Sequence, residues 1–588
     1  MFTIPAWVML AVWFGVQVFS GYAMHGGEAG VAYWAHAGGF AAGLVLTLPL
    51  FFRRGGTAFW AVTRGRPPHL PLDLPHAVTQ PRREPRHPVA VEDGPGRRLR
   101  RASAAPARMG AMTSQPAPAS TAHRRSLAEA GIALGPLDGR YRAAVEPLVE
   151  HLSEAALNRN RIHVEVEWFI HLAEHRVLPG LEPLTAEQQA GLRAIVTDFD
   201  AESVAELAAT EKVTVHDVKA VEYFIADRLE GLGLGRLKPL VHFACTSEDI
   251  NNLAYAVGVR DAVEQVWLPA ARAAVATVSA MAAEAAETPM LSRTHGQPAT
   301  PTTLGKEMAV FVHRLTRQTR RIAGQEYLGK INGATGTYAA HLAAAPDADW
   351  PALSRSFVEH LGLTWNPLTT QIESHDWQAE LYADVARFNR ILHGFCVDVW
   401  SYISIGYFAQ IPVAGATGSS TMPHKVNPIR FENAEANLEL SCALLDSLGA
   451  TLVESRWQRD LTDSTSQRNI GVALGHSVLA LTNVTKGMGQ LQVAEPVLAE
   501  DLDTNWEVLG EAVQTVMRAE AIAGVEGMDN PYERLKELTR GHRVDGARMR
   551  EFVQGLGLSE GAQARLLELT PAGYTGLAAR LAAEFGGR

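Results

Sequence analysis

The sequence predicts an all-α protein built on a bundle of long helices, and three observations carry that prediction. Apolar residues recur at helical spacing: Leu304, Met308, Phe311, Leu315 and Ile322 in one run, Leu381, Val385, Phe388, Leu392, Phe395 and Val399 in another. Such intervals of three, four or seven mark one face of a helix. Convincing alternating strands are scarce, and the Gly-rich strand-to-helix turn of a dinucleotide-binding unit is absent. Several long helices with apolar stripes imply a bundle, and stripes too wide for one antiparallel neighbour imply subunit contacts as well.

The first 54 residues read differently. Residues 2 to 27 carry no Asp, Glu, Lys or Arg; after Glu28 the same holds for 29 to 52, and Arg53 and Arg54 follow at once. Each stretch exceeds the roughly 20 apolar residues that cross a bilayer. No positive region precedes the first, which disfavours a signal peptide, and the trailing arginines place everything downstream in the cytoplasm. Residues 1–54 thus read as a transmembrane-like hairpin making membrane contact. The string Tyr33-Trp34-Ala35-His36-Ala37-Gly38-Gly39-Phe40 resembles the last transmembrane helix of rhomboid intramembrane proteases, over about the first 55 residues. The family's Gly-x-Ser-Gly nucleophile is missing, so His36 has no partner for proteolysis and a small-residue packing face is the better reading. Residues 55–125, rich in Pro, Arg and Ala with eleven prolines between Pro67 and Pro118, read as a disordered linker.

Composition bounds the rest. A chain of 588 residues has room for about three to five domains. A net charge of -10 argues against general nucleic-acid binding. Cys245, Cys396 and Cys442 are few, dispersed and odd in number, which indicates neither a disulfide framework nor a zinc cluster and fits a reducing compartment.

From residue 126 onward, polar clusters interrupt the helical pattern. Asp138-Gly139-Arg140-Tyr141 is a turn presenting a guanidinium and a phenol. His216 and Asp217 lie near Lys219 and Glu222. Cys245-Thr246-Ser247-Glu248-Asp249 leads into a helix. Ser292-Arg293-Thr294-His295-Gly296-Gln297-Pro298 precedes the run from Leu304, and Gln371 follows two threonines. Gly418 to Pro428 reads Gly-Ser-Ser-Thr-Met-Pro-His-Lys-Val-Asn-Pro, ahead of a run with Leu438, Leu445, Leu448 and Leu452. Arg459, Ser464 and Arg468 close the series. Each cluster taken alone reads equally well as a cap, a turn or a surface ion pair. The 418–428 segment says more: N–H groups at a helix start, beside the Lys425 cation, suit anionic oxygens.

The full strings are more specific than their parts. The 418–428 loop resembles the signature loop of the fumarase/aspartase superfamily. With Thr-His-Gly-Gln-Pro-Ala-Thr-Pro, Cys-Thr-Ser-Glu-Asp-Ile-Asn-Asn and Arg-Trp-Gln-Arg-Asp-Leu-Thr-Asp-Ser-Thr, residues 126–588 resemble the adenylosuccinate lyases of that superfamily. The resemblance implies an N-terminal domain at 126–236, a central helical bundle at 237–490 and a C-terminal domain at 491–588. It also implies a homotetramer whose active sites combine three subunits, and no cofactor. The implied substrates are adenylosuccinate and the succinyl-carboxamide ribotide of purine synthesis, each losing fumarate.

Roles follow by the same resemblance. Ser419 is the base and His295 the acid that protonates the departing nitrogen. Lys425 and Asn427 hold the succinyl carboxylates. Arg140, Tyr141, Arg459, Ser464 and Arg468 suit phosphate and ribose, arginine for its fork geometry. His216 orients substrate near the phosphate or supports the acid. Asp217, Thr246, Ser247, Thr294 and Gln371 complete polar recognition, and Glu432 orients His295 or the loop. Val215 departs from the family, whose members carry Asn there. Argininosuccinate lyase or fumarase is the nearest alternative, and the arginine–serine cluster at 459–468 argues against it, since fumarate and malate have no phosphate. A membrane-tethered scaffold with a dead lyase domain is opposed by intact Ser419, His295 and Lys425.

Overall fold

The computed structural model describes residues 133–412, 425–539 and 544–587, with Trp13, Phe14, Val16 and Met422 besides. The chain divides into two units, Met1–Ala117 and Pro118–Arg588. In the first, only the helical Trp13, Phe14 and Val16 are described. The hairpin expected at 1–54 and the linker expected at 55–125 otherwise lie outside the described residues.

The second unit begins with a layer of helices: α1 (Arg142–Leu152), α2 (Glu154–Glu174), α3 (Ala186–Thr197), α4 (Ala201–Thr214) and α5 (Asp217–Leu229). Their starts are set locally by side chains that accept otherwise orphaned N–H groups. Ser153 takes the amide of Ala156, Thr185 that of Gln188, Asp200 that of Ser203. α6 (Ser247–Ala262) then passes through one π turn, Val263–Trp267, into α7 (Leu268–Glu284). This 38-residue run is, among the described residues, long and apolar enough to cross a membrane. Its Ile250, Leu253, Val259, Trp267 and Val278 lie in the main core, so here it is a core helix.

The bundle comprises α7, α8 (Leu304–Ala323) and three later helices. After α9 (Ala339–Ala344) and α10 (Trp350–His360) come α11 (Asp376–Ser404), α12 (Ile429–Leu452), the short α13 (Thr462–Gln467) and α14 (Ile470–Met488). α11 packs on α12 and α12 on α14; α8 bridges α7 and α11, and α7 also meets α14. Every residue of the expected stripes on α8, α11 and α12 is buried. The chain continues through α15 (Glu495–Asp503) and α16 (Gly510–Ile522). A separate small core follows the bundle, around Trp506, Val513, Met517, Met549 and Val553.

The structure is mostly helical, and among the described residues its strands are few and short; the longest pair lies at 289–303, ahead of α8. Strands β1 (Pro289–Thr294) and β2 (Gln297–Thr303) pair antiparallel, with Thr294 opposite Gln297. The two residues between them, His295 (φ 54) and Gly296 (φ 75), are both left-handed, the requirement of a tight two-residue hairpin turn. Pro298 and Pro301 exclude a helix there, and Thr300, Thr302 and Thr303 favour a pleated surface. Two minimal sheets complete the unit: β3 (Leu328–Gly329) beside β4 (Thr364–Trp365), and β5 (Phe408–Gln410) beside β6 (Leu491–Val493).

Candidate active site

α4 ends at Thr214 and α5 starts at Asp217, so the chain must turn sharply between them. Val215 makes the turn in the left-handed region (φ 52, ψ 32) and is exposed. A β-branched residue is strained there, whereas Asn tolerates it. The departure at 215 therefore changes backbone strain first. His216 caps α5: its Nδ1 accepts the Lys219 amide at 3.2 Å. In the neutral ring this leaves the proton on Nε2, a donor on a half-exposed side chain.

Asp217 is where the site's charges meet. It accepts from Arg161 at 2.7 Å and pairs with Arg468 at 3.3 Å. Burial pushes its carboxyl up, but Arg161, the Val218 amide and Arg468 outweigh this and hold it below the usual carboxylate range. Its contribution to stability is therefore complete above the unfolded value near 4 and is lost as pH falls through the lowered one. Arg161 on α2 is almost fully buried and also donates to Asn158 at 2.8 Å and to Asn251 at 2.9 Å. Asn251 in turn donates to Glu248 at 2.7 Å, and Glu248 pairs with Arg459 at 2.6 Å. At the other end, Arg468 donates to the Ser464 carbonyl at 2.9 Å and hydroxyl at 3.0 Å, and pairs with Glu154 at 3.3 Å. Burial lowers the Arg459 pKa against the pull of Asp463 and Asp217, whereas for Arg468 the carboxylates of Glu154 and Asp217 outweigh burial and raise it. Ser464, Arg468, Asp217 and Arg459 thus lie on one continuous polar path, completed by Arg161, Asn251 and Glu248.

Thr246 and Ser247 open α6 beside Glu248. The bend before them is strained, with His242 (φ 57) and Ala244 (φ 60) left-handed. Buried Glu165 holds it, accepting the His242 amide at 3.0 Å and pairing with its ring at 2.5 Å. Gln371 donates to the Ala334 carbonyl at 2.8 Å.

The remaining candidates occupy two other places. Arg140 and Tyr141 lie in the expected turn, and Tyr141 accepts from Asn433 on the first turns of α12 at 3.2 Å. One position earlier, Glu432 accepts from Trp400 at 3.2 Å rather than from a histidine. Lys425, exposed, and Asn427 lead into this helix. Ser419 lies outside the described residues. Thr294 and His295 sit at the exposed hairpin end, and the strands behind it are pinned by Arg293 to Asp501 on α15 and by Thr300 to Glu511 on α16 at 2.6 Å. Among the described residues His295 forms no hydrogen bond or ion pair. The candidates of one chain thus fall into three groups.

Arg161, Asn251 and Asn433 were not singled out from the sequence. Arg161 sits in the middle of α2 with no local motif, and two of its three partners are 56 and 90 residues away. Asn433 lies only five positions beyond the signature loop, which is the one signal available for it.

The lyase family model matches residues 139–442, and the adenylosuccinate lyase C-terminal model matches 455–575. Among solved structures, a fumarate lyase from Mesorhizobium sp. BNC1 superposes with a TM-score of 0.61 at 19% identity, covering 75% of this chain and 97% of that one. A 3-carboxy-cis,cis-muconate lactonizing enzyme from Pseudomonas putida gives 0.59 at 22%, covering 75% and 96%. These two establish the fold; with the lyase match they define a lyase of the fumarase/aspartase superfamily. Adenylosuccinate lyase of Escherichia coli K12 is 49% identical over 447 residues, 76% of this chain and 97% of that protein. The Haemophilus influenzae enzyme is 48% identical over 450 residues, 76% and 97%. The chain belongs to the adenylosuccinate lyase family.

Proposed function

We propose that the protein eliminates fumarate from adenylosuccinate, leaving AMP, and from the succinyl-aminoimidazole-carboxamide ribotide of purine synthesis. The observation that carries the reading is the path that gathers Arg459, Ser464 and Arg468 around Asp217, since a nucleotide phosphate needs such a donor set. His216, with Nε2 as donor, lies next to Asp217 and serves the same end of the substrate. Thr246, Ser247, Gln371 and Thr294 supply neutral donors and acceptors. Arg140 and Tyr141 approach the start of α12, where Lys425 and Asn427 meet the succinyl carboxylates.

The reaction removes a weakly acidic proton beside a carboxylate, so the dianionic intermediate must be stabilised as it forms. Ser419 takes that proton; its hydroxyl becomes a competent base only when surrounded by N–H donors and Lys425, with water excluded. His295 gives a proton to the departing nitrogen. Glu432 steadies the loop side, through α12. No electrons are exchanged, so no redox carrier is required. A homotetramer is the assembly that would join the three groups. The exposed Val397, Trp400 and Leu440 on α11 and α12 support such contacts.

The test is direct. The unaltered chain should convert adenylosuccinate to AMP and fumarate, followed by ultraviolet absorbance. Arg468→Ala or Arg459→Ala should weaken AMP binding, measured by calorimetry, by roughly 10- to 150-fold, the loss of about 1.5 to 3 kcal/mol for a charge-assisted hydrogen bond. Unchanged AMP affinity in both variants would remove the phosphate assignment.

Residues 1–54 are read as a membrane hairpin with a rhomboid-like second span, and the catalytic body as cytoplasmic. A proline-interrupted linker transmits little conformational coupling. Deleting residues 1–108 should therefore leave kcat and KM within about twofold, under roughly 0.5 kcal/mol, and move the protein from the membrane to the soluble fraction. Collapse of activity in an assembled truncated enzyme would make the N-terminal segment part of the catalytic unit.

A further inference from the structure

Thr246 and Ser247 are far from Gln371 in sequence, yet the segments that carry them hang from a single carboxylate. Asp249 is fully buried. It accepts the Thr246 amide at 2.8 Å, Lys330 Nζ at 2.8 Å, the Asn332 amide at 2.9 Å and the Gly333 amide at 3.1 Å. Lys330 is as buried as its partner, with no exposed side-chain surface on either. Its own backbone is clamped by Asn252, which accepts the Lys330 amide at 2.9 Å and donates to its carbonyl at 3.0 Å. The next residues form the turn whose Ala334 carbonyl receives Gln371. Asn332 Nδ2 also reaches Thr369 Oγ1, at 2.8 Å, two positions before Gln371.

The turn closes on itself through the Tyr338 amide to the Asn332 carbonyl at 3.0 Å and the Gly336 amide to the Gly333 carbonyl at 3.3 Å, but these bonds do not fix it relative to α6. Asn332 Oδ1 and Tyr338 Oη, both buried, have no hydrogen-bond partner. Gly333 adopts φ +85 with the His341 ring against it, so close that a Cβ would lie 3.3 Å from His341 Cε1. A buried ion pair is poor evidence of added stability, because desolvation offsets attraction. What four donors converging on one carboxylate do supply is direction, fixing the 332–334 backbone relative to the start of α6.

We propose that Asp249 and Lys330 are a positioning pair that sets the separation of the Thr246–Ser247 and Gln371 segments, and so governs nucleotide affinity rather than the rate of bond cleavage. The proposal rests on the reading of those three residues as substrate contacts. Neither Asp249 nor Lys330 touches substrate; they act through the backbone they hold.

The experiment uses the full chain with Asp249→Asn and Lys330→Met together, which removes both charges without leaving either one buried alone. Amide hydrogen exchange at Thr246, Asn332 and Gly333 should speed up. AMP dissociation constant and substrate KM should each rise at least about tenfold, equivalent to 1.4 kcal/mol, while kcat stays within about threefold. Lys330→Arg, which keeps the charge pair, should recover most of the affinity. Faster exchange with unchanged AMP affinity would reduce the pair to a structural role, as would a fall in kcat at constant KM. If the double variant does not fold, Gly333→Ala displaces the same turn without altering a charge, and the same split between KM and kcat decides. Absence of turnover by the unaltered chain would instead defeat the functional reading; AMP binding and amide exchange would still report on the positioning pair.

Discussion

His295→Ala should abolish turnover while leaving the fold and nucleotide binding in place. Loss of a proton-transfer group typically costs about 100- to 10,000-fold in rate, and this position allows the loss to be read cleanly. The side chain stands at an exposed hairpin tip and forms no hydrogen bond or ion pair with another described residue, so its removal breaks no bond of that kind within the chain. The one structural cost is backbone: residue 295 is left-handed, and leaving Asn there rather than Ala avoids it. His295→Asn should therefore be equally inactive and more stable, and single-turnover kinetics with AMP titration would separate chemistry from binding. Ser419→Ala should match it, whereas Ser420→Ala should retain appreciable activity. A 295 variant within tenfold of the parental kcat would exclude the acid role, and a dead Ser420→Ala beside a live Ser419→Ala would reverse the choice of base.

Arg161→Ala should be the most destabilising single change in the nucleotide-binding region. Arg161 is 1% exposed and donates to Asp217, Asn251 and Asn158. Its loss strands Asp217 beside a cavity and frees the Asn251 carbonyl. Removing one partner of a buried pair commonly costs about 3 to 5 kcal/mol; because Asp217 keeps Arg468 and some solvent, the lower end, about 3 kcal/mol, is expected by urea unfolding. Lys in its place reaches one of the three acceptors and should recover little. The loss of stability in acid that Asp217 confers should shrink as well, since Arg161 is the foremost group holding its pKa down. A change below about 1 kcal/mol, the size of an exposed pair, would mean that the path through Asp217 is not a unit.

How much of this was legible in the sequence depends on the range of the interaction. The stripes of α8, α11 and α12 could be read because each lies on one face of one helix. The start of α6 could be read too, since Thr246 and Asp249 are three residues apart. The links of Arg161 to Asp217 and Asn251, and of Lys330 to Asp249, could not, for they span 56 to 90 residues; Asn251 stood in a recognisable string, but its long-range partner did not show. At 289–303 no strand was read from the sequence, because apolar and polar residues do not alternate there; the left-handed His-Gly pair marks the hairpin turn only once its geometry is known. Val215 was visible as a departure, but its reason, a backbone position better suited to Asn, required φ. The three-group layout of the candidates was implied only by family resemblance, never by spacing.

In the phosphate role proposed for it, Arg468 would meet an incoming nucleotide already occupied, by Glu154, Asp217 and the Ser464 carbonyl. Phosphate binding would then be a displacement, in which one set of anionic oxygens evicts another. Little net charge is neutralised, so affinity should depend on ionic strength less steeply than a count of arginines suggests. The evicted carboxylates remain beside the phosphate as tethered competitors, ready to reclaim the guanidinium. Such a site would give up AMP readily after the bond is cut, trading tight holding for turnover.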